Sequence, residues 1–175
     1  MKTKNKLFLA LALAAMTFPA VASTPPGQPK SLEEQVRIAL VKIPYLSVFD
    51  DLSFRVDNGV VTLTGEAVQP MIKWYAEQNV KDVPGVTAVQ NQIEVLPLSR
   101  FDDDIRLRTL RAIHNTSSLY RYFMGVNPSI RIVVKNGHVT LDGIVQNQAD
   151  KQLAFMAANR VPNVFSVTNN LRAAK

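Results

Sequence analysis

The chain repeats itself, and the repeat decides most of what it can fold into. Asn58-Gly59-Val60-Val61-Thr62-Leu63-Thr64-Gly65 returns 78 positions later as Asn136-Gly137-His138-Val139-Thr140-Leu141-Asp142-Gly143, and the register then holds without a gap. Lys73 falls on Lys151, Ala76 on Ala154, Val83-Pro84 on Val161-Pro162, Val86 on Val164, Val89 on Val167 and Asn91 on Asn169. Upstream the offset is 69, matching Val36-Arg37-Ile38 to Ile105-Arg106-Leu107, so the second copy carries nine extra residues before its first strand. Two copies of one supersecondary unit follow. Each is about 70 residues, near the size at which a single core is marginal, so docking of the two on each other would help both.

Within a copy the apolar periodicity changes from helical to extended and back. Ser31 with Glu34 three residues later is a capping box, and Leu32, Val36, Ala39, Leu40 and Ile43 form a stripe at helical spacing that Pro44 ends. Phe54–Asp57 and Val60–Thr64 are β-branched runs around Asn58-Gly59, a dipeptide suited to a type I′ hairpin turn. Pro70 opens a second helix with Ile72, Tyr75, Ala76, Val80 and Val83 inward, closed by Pro84-Gly85. Val86, Val89, Ile93 and Val95 supply a third strand ending near Pro97. In the second copy Asp102, Asp103 and Asp104 open the helix and Asn163 replaces Gly85, Asn also tolerating a left-handed cap. The expected fold is α+β: two tandem αββαβ modules, 31–97 and 101–173, each a small three-stranded sheet with two helices packed on one face.

The first 22 residues stand apart. Lys2, Lys4 and Lys6 precede a nine-residue apolar run, Leu7–Ala15, and Ala20-Val21-Ala22 is an A-x-A cleavage site. The run is too short for a bilayer that needs roughly 20 residues, so it reads as a secretory signal cleaved after Ala22. Residues 23–30 form a Pro-rich linker. The absence of cysteine excludes a disulfide framework, a thiolate metal site, a cysteine nucleophile and a lipoprotein anchor, and suits the periplasm. Charge is divided unevenly: Ser23–Ser99 holds six basic and nine acidic residues, Arg100–Lys175 eleven and five. The two modules should meet different partners.

Two copies of a helix, a strand, NGxVTLxG, a second helix and VP(G/N)V, on an exported chain, resemble the BON domain family. The likeness covers both modules. It implies an αββαβ fold, a periplasmic or envelope location, association with phospholipid membranes and a role in envelope integrity, often under osmotic stress, with no catalytic activity. The order of a signal followed by two modules is similar to osmotically inducible periplasmic proteins of that family.

Residues of catalytic type are few. His138 stands alone in a strand where the first copy has Val60, and His114 lies near a helix C-terminus, where an imidazolium is stabilising. No G-x-S-x-G elbow is present. Asp102–Asp104 are contiguous at a helix start, unlike the spaced ligands of a calcium loop, and fit capping better. Gly59, Gly65, Gly137 and Gly143 lack the helix N-terminus and Lys of a phosphate loop. The expectation is no enzyme, no metal, no cofactor and no small-molecule substrate.

A surface remains. Arg106, Arg108, Arg111 and Arg121 cluster in sequence with Tyr120, Tyr122, Phe123 and Met124, the last five of these eight in or beside the nine-residue insert, a mixture suited to an anionic phospholipid surface met peripherally. The other reading is that the aromatics cap the core and the arginines are an ordinary solvated face. Val68, Met71 and Trp74, spaced three apart on the second helix, form a weaker patch; Trp74 either anchors at a membrane or fills the contact between modules, the latter slightly favoured. Arg with aromatics also binds single-stranded nucleic acid, which the export signal argues against. The competing class is a protein-interaction or chaperone-like module docking an envelope partner.

Overall fold

The computed structural model describes residues 30–116, 118–125 and 127–174. The expected signal and most of the Pro-rich linker lie outside the described residues. The first module runs α1 (Leu32–Val41), β1 (Asp51–Asp57), β2 (Val60–Ala67), α2 (Pro70–Lys81), β3 (Ala88–Asn91) and β4 (Glu94–Val95). The second runs α3 (Arg100–His114), a short 3-10 helix (Tyr120–Phe123), β5 (Ile130–Lys135), β6 (His138–Val145), α4 (Gln148–Asn159), β7 (Ser166–Asn169) and β8 (Arg172–Ala173). The fold is α+β with two modules, each a mixed sheet in which the middle strand pairs antiparallel with the first and parallel with the last.

Local chemistry explains the elements. Ser31 Oγ accepts the Glu34 N–H at 3.2 Å, capping α1. Asn58 and Gly59 hold φ of 49° and 84°, and Asn136 and Gly137 52° and 78°, as a type I′ turn demands. Val36, Val61, Leu63, Ile72, Ala76 and Val80 are fully buried in the first core, and Ile105, Ile132, Val139, Leu141, Ala154 and Ala158 in the second. The helices of each module contact each other and the sheet beneath them.

Three details differ from expectation. The third strand is split in both modules, β3/β4 and β7/β8, both halves pairing with the same central strand. At the break Asn91 donates to the Lys73 carbonyl at 2.9 Å and accepts the Ile93 N–H at 3.2 Å; Asn169 does the same with Lys151 and Leu171. The Asn turns the chain so that Ile93 and Leu171 enter the cores. Second, β1 begins at Asp51 and β2 continues past Gly65 to Ala67. Third, Gly85 and Asn163 are left-handed, with φ of 95° and 70°, but lie three residues beyond the C-caps Asp82 and Arg160 rather than at the cap.

The modules dock through the segment between α1 and β1. The Ile132 N–H donates to the Val48 carbonyl at 2.9 Å, Arg131 Nη1 to the Ser47 carbonyl at 3.1 Å, and Lys135 pairs with Glu94 at 2.5 Å. Val48 and Phe49 pack against the second core. Asp50, 2% exposed, holds the segment by accepting from the Ser47 N–H and hydroxyl and from the Val68 N–H. The contact is rich in carboxylates. Burial, then Asp142 across the contact, raises the Asp51 pKa; burial and then Asp51, Glu94 and Asp142 raise that of Glu66. Trp74 is not part of this contact: it is 57% exposed on α2, which corrects the expectation that it fills the interface.

Candidate functional site

Within the insert Leu119 and Tyr122 turn inward, while Tyr120 and Met124 stay exposed. Asp150, on the first turn of α4 and 3% exposed, accepts from the Tyr122 hydroxyl at 2.6 Å, Arg121 Nη2 at 2.5 Å, Ser118 Oγ at 3.0 Å and Asn147 Nδ2 at 3.1 Å. The Tyr122 hydroxyl in turn accepts the Gln146 N–H at 2.8 Å. Burial alone would raise the Asp150 pKa, but the bonds from Tyr122, Arg121 and Ser118 outweigh it and hold the carboxyl below its usual value. The same two partners, Tyr122 first, push the Arg121 guanidinium up. Tyr122 is therefore a core residue rather than a surface contact, and Arg121 is tied to Asp150 rather than free. Phe123 is half-buried against the second core, its ring 6.1 Å from His114.

Arg106 needs the same correction. It is 3% exposed, donating through Nη1 to Asp103 at 2.5 Å and through Nη2 to the Val134 carbonyl at 2.7 Å. Its place on the helix turns it to the sheet side, where Asp103 on its own helix and the Val134 carbonyl of β5 receive it. The acidic trio also divides. Ser99 caps α3 by accepting the Asp102 N–H at 3.1 Å, while the Asp102 carboxylate, 1% exposed, accepts the N–H groups of Asn136 and Gly137 at 3.0 and 2.8 Å. Asp102 thus fastens the hairpin turn to the helix instead of capping it.

What stays outside is the outer face of α3. Phe101, Leu107, Arg108 and Arg111 are exposed; Phe101 is 43% and Leu107 47% accessible. Positions 101, 104, 108 and 111 fall on one stripe and Leu107 sits beside Arg111. Arg108 pairs with Asp104 at 2.8 Å, whereas Arg100 and Arg111 have no ion-pair partner among the described residues. At the N-terminal end of this face Phe101 meets Phe165, 67% exposed, with ring centroids 6.0 Å apart, and His138 lies 5.9 Å from Phe165. Tyr120 and Met124, also exposed, follow the other end of a 15-residue helix about 21 Å long. Met71 and Trp74 are exposed on α2, the indole edge-on to Tyr75 at 5.0 Å, and Val68 is half-buried.

Phe101 and Phe165 escaped the sequence reading, although the repeat holds a signal for them. In the first module the matching positions are Leu32 and Thr87. The second module has enlarged both side chains at the same corner, around a hairpin glycine, Gly137, where an added Cβ would lie 2.7 Å from the Phe165 ring. An exposed aromatic pair beside guanidinium groups on a helix face is equipped for a surface carrying both negative charge and apolar depth.

No curated protein matches the sequence. Among solved structures the chain is similar to the C-terminal domain of CdsD, a structural protein of the type III secretion system of Chlamydia trachomatis, at 12% identity and a TM-score of 0.30, over 85% of this chain and 100% of that one. A second CdsD structure matches at 13% identity and a TM-score of 0.29, over 82% and 93%. The BON domain family model matches residues 30–97 and again 102–175, the two halves of the repeat. This chain belongs to the BON domain family, as two tandem copies.

Proposed function

We propose that this chain is a non-enzymatic, exported envelope protein that associates peripherally with anionic phospholipid through its second module and so supports envelope integrity, including under osmotic stress. The observation that carries the reading is the outer face of α3, where Phe101, Leu107 and the neighbouring Phe165 share a surface with Arg100, Arg108 and Arg111. Each cation near an anionic leaflet contributes about 1 kcal/mol, and the aromatic pair adds apolar area at the headgroup boundary. Together they support reversible binding rather than insertion; no helix among the described residues is long and apolar enough to cross a membrane. The excess of basic residues in the second half and the phospholipid association of the family point the same way.

Co-sedimentation with vesicles tests it. The chain should pellet with vesicles containing phosphatidylglycerol or cardiolipin at low salt, not with neutral vesicles, and weaken steeply as salt rises. Phe101→Ser with Phe165→Ser, or Arg108→Gln with Arg111→Gln, should abolish pelleting, while Arg121→Gln should leave it intact. Binding that ignores lipid charge and salt, or no binding at all, would refute the lipid reading and move the apolar corner to a protein partner. N-terminal sequencing of the protein recovered from the periplasm should begin at Ser23.

A further inference from the structure

The two modules treat their first strands differently. A two-residue turn makes Asp57↔Val60 a hydrogen-bonded pair, so bonded pairs alternate through Arg55↔Thr62, Ser53↔Thr64 and Asp51↔Glu66. The N–H and C=O groups of Leu52, Phe54 and Val56 therefore point away from β2. The same alternation in the second module turns Ile130, Ile132 and Val134 outward. There the edge is occupied: the Ile132 N–H donates to the Val48 carbonyl and the Val134 carbonyl accepts from Arg106. In the first module the matching residues, Phe54 and Val56, have no backbone or side-chain partner on that edge among the described residues. Arg37, which matches Arg106, is exposed and pairs with Glu34 at 3.7 Å instead.

This open edge borders a cleft of about 1030 Å³ between the modules. All six consecutive residues from Asp51 to Val56 line it, whichever face of the sheet their side chains take, so the cleft exposes the edge of β1 itself. Its walls carry Arg37, Arg55, Arg131 and Arg172 against Glu33, Asp51 and Asp142. Asp51 faces both Asp142 and Arg131, so Arg131 is taken up within that trio, which keeps one carboxylate in excess. Arg55 and Arg172 have no ion-pair partner among the described residues.

We propose that the β1 edge in this cleft is a docking site for an extended, acidic segment of a partner protein, which pairs with Leu52, Phe54 and Val56 as an added strand and sets its carboxylates against Arg55 and Arg172. Strand addition to an open edge draws affinity from main-chain hydrogen bonds and specificity from flanking side chains. The chain supplies its own precedent, since β5 holds Val48 through the equivalent bond. The site is independent of the α3 face.

The probe is a blocked peptide of alternating glutamate and threonine, seven residues long to match β1. Added to the full mature chain, it should slow hydrogen exchange at the amides of Leu52, Phe54 and Val56 by about tenfold or more, leaving β6 unchanged. Methylating alternate peptide nitrogens, or replacing glutamate by lysine, should remove the protection, and Arg55→Glu with Arg172→Glu should weaken binding about tenfold. Anionic vesicles should not compete. Unprotected edge amides, or equal binding of the methylated or lysine peptide, would overturn the proposal. So would protection without peptide, whether it rises with protein concentration, which assigns the edge to a second copy, or vanishes on deleting residues 23–29, which assigns it to the leader.

Discussion

Replacing Asp150 by Ala tests whether the insert is a clasp on the second module or a free surface element. The carboxylate is 3% exposed and accepts from four side chains. Without it the Tyr122 hydroxyl, on a residue 6% exposed, still accepts from Gln146 but has no acceptor for its own proton; a buried group so stranded costs about 1–3 kcal/mol. The Ser118 bond is lost as well, while the Arg121 side chain, 37% exposed, regains water and adds little. The expected loss is about 3 kcal/mol, or about 6–12 °C in the melting temperature of a chain this size followed by circular dichroism. Asp150→Asn keeps the volume and should lose about half as much. The pH dependence has a definite sign. Because the folded carboxyl titrates below its ordinary 3.8, its contribution is present above that pH and fades as pH falls through the folded value. Wild type and Asp150→Ala should therefore converge in acid. A loss under about 1 kcal/mol at pH 7, or a difference that stays constant through the acid range, would refute the clasp.

Three further perturbations probe the frame around the site. Gly143→Ala should prevent the second module from folding or cost more than about 3 kcal/mol, because the new Cβ would lie 1.9 Å from the Ser129 carbonyl oxygen at a φ of 128°; urea unfolding measures it. Asp102→Ala should cost about 2–4 kcal/mol in the same assay, through the loss of both bonds to the hairpin turn. Asp51→Asn should stabilise the docked modules at pH 7 by up to about 1 kcal/mol after solvent screening, since the raised pKa of Asp51 marks a charge that the contact disfavours. By the same sign, the penalty from Asp51 and Glu66 is full at neutral pH and relieved as pH falls through their raised values, so their variants should differ least from wild type in acid.

The repeat, the element order and the hairpin turns were legible because each depends on neighbours in the chain: Asn58-Gly59 needs only its own φ angles, and the apolar stripes need only their spacing. The direction of a polar side chain depends on residues far away. Arg106 and Arg108 look alike in sequence, yet Arg106 is buried because a strand 28 residues on offers the Val134 carbonyl. Tyr122 turns inward because Asp150, also 28 residues on, receives it. The contact between modules rests largely on the carbonyls of Ser47 and Val48 and on the packing of Val48 and Phe49, in a segment with no periodic pattern that marks it. Phe101 and Phe165, 64 positions apart, meet at the corner where Asp102 holds the hairpin turn against α3.

A nitroxide scan decides where the membrane touches. The chain has no cysteine, so Leu107→Cys and Met124→Cys each give a single labelled site, one on the outer face of α3 and one in the insert. On vesicles containing phosphatidylglycerol, the label at position 107 should become accessible to oxygen and shielded from an aqueous nickel complex, while the label at 124 keeps its solution behaviour. A label at 124 that enters the bilayer while that at 107 stays in water would contradict the account.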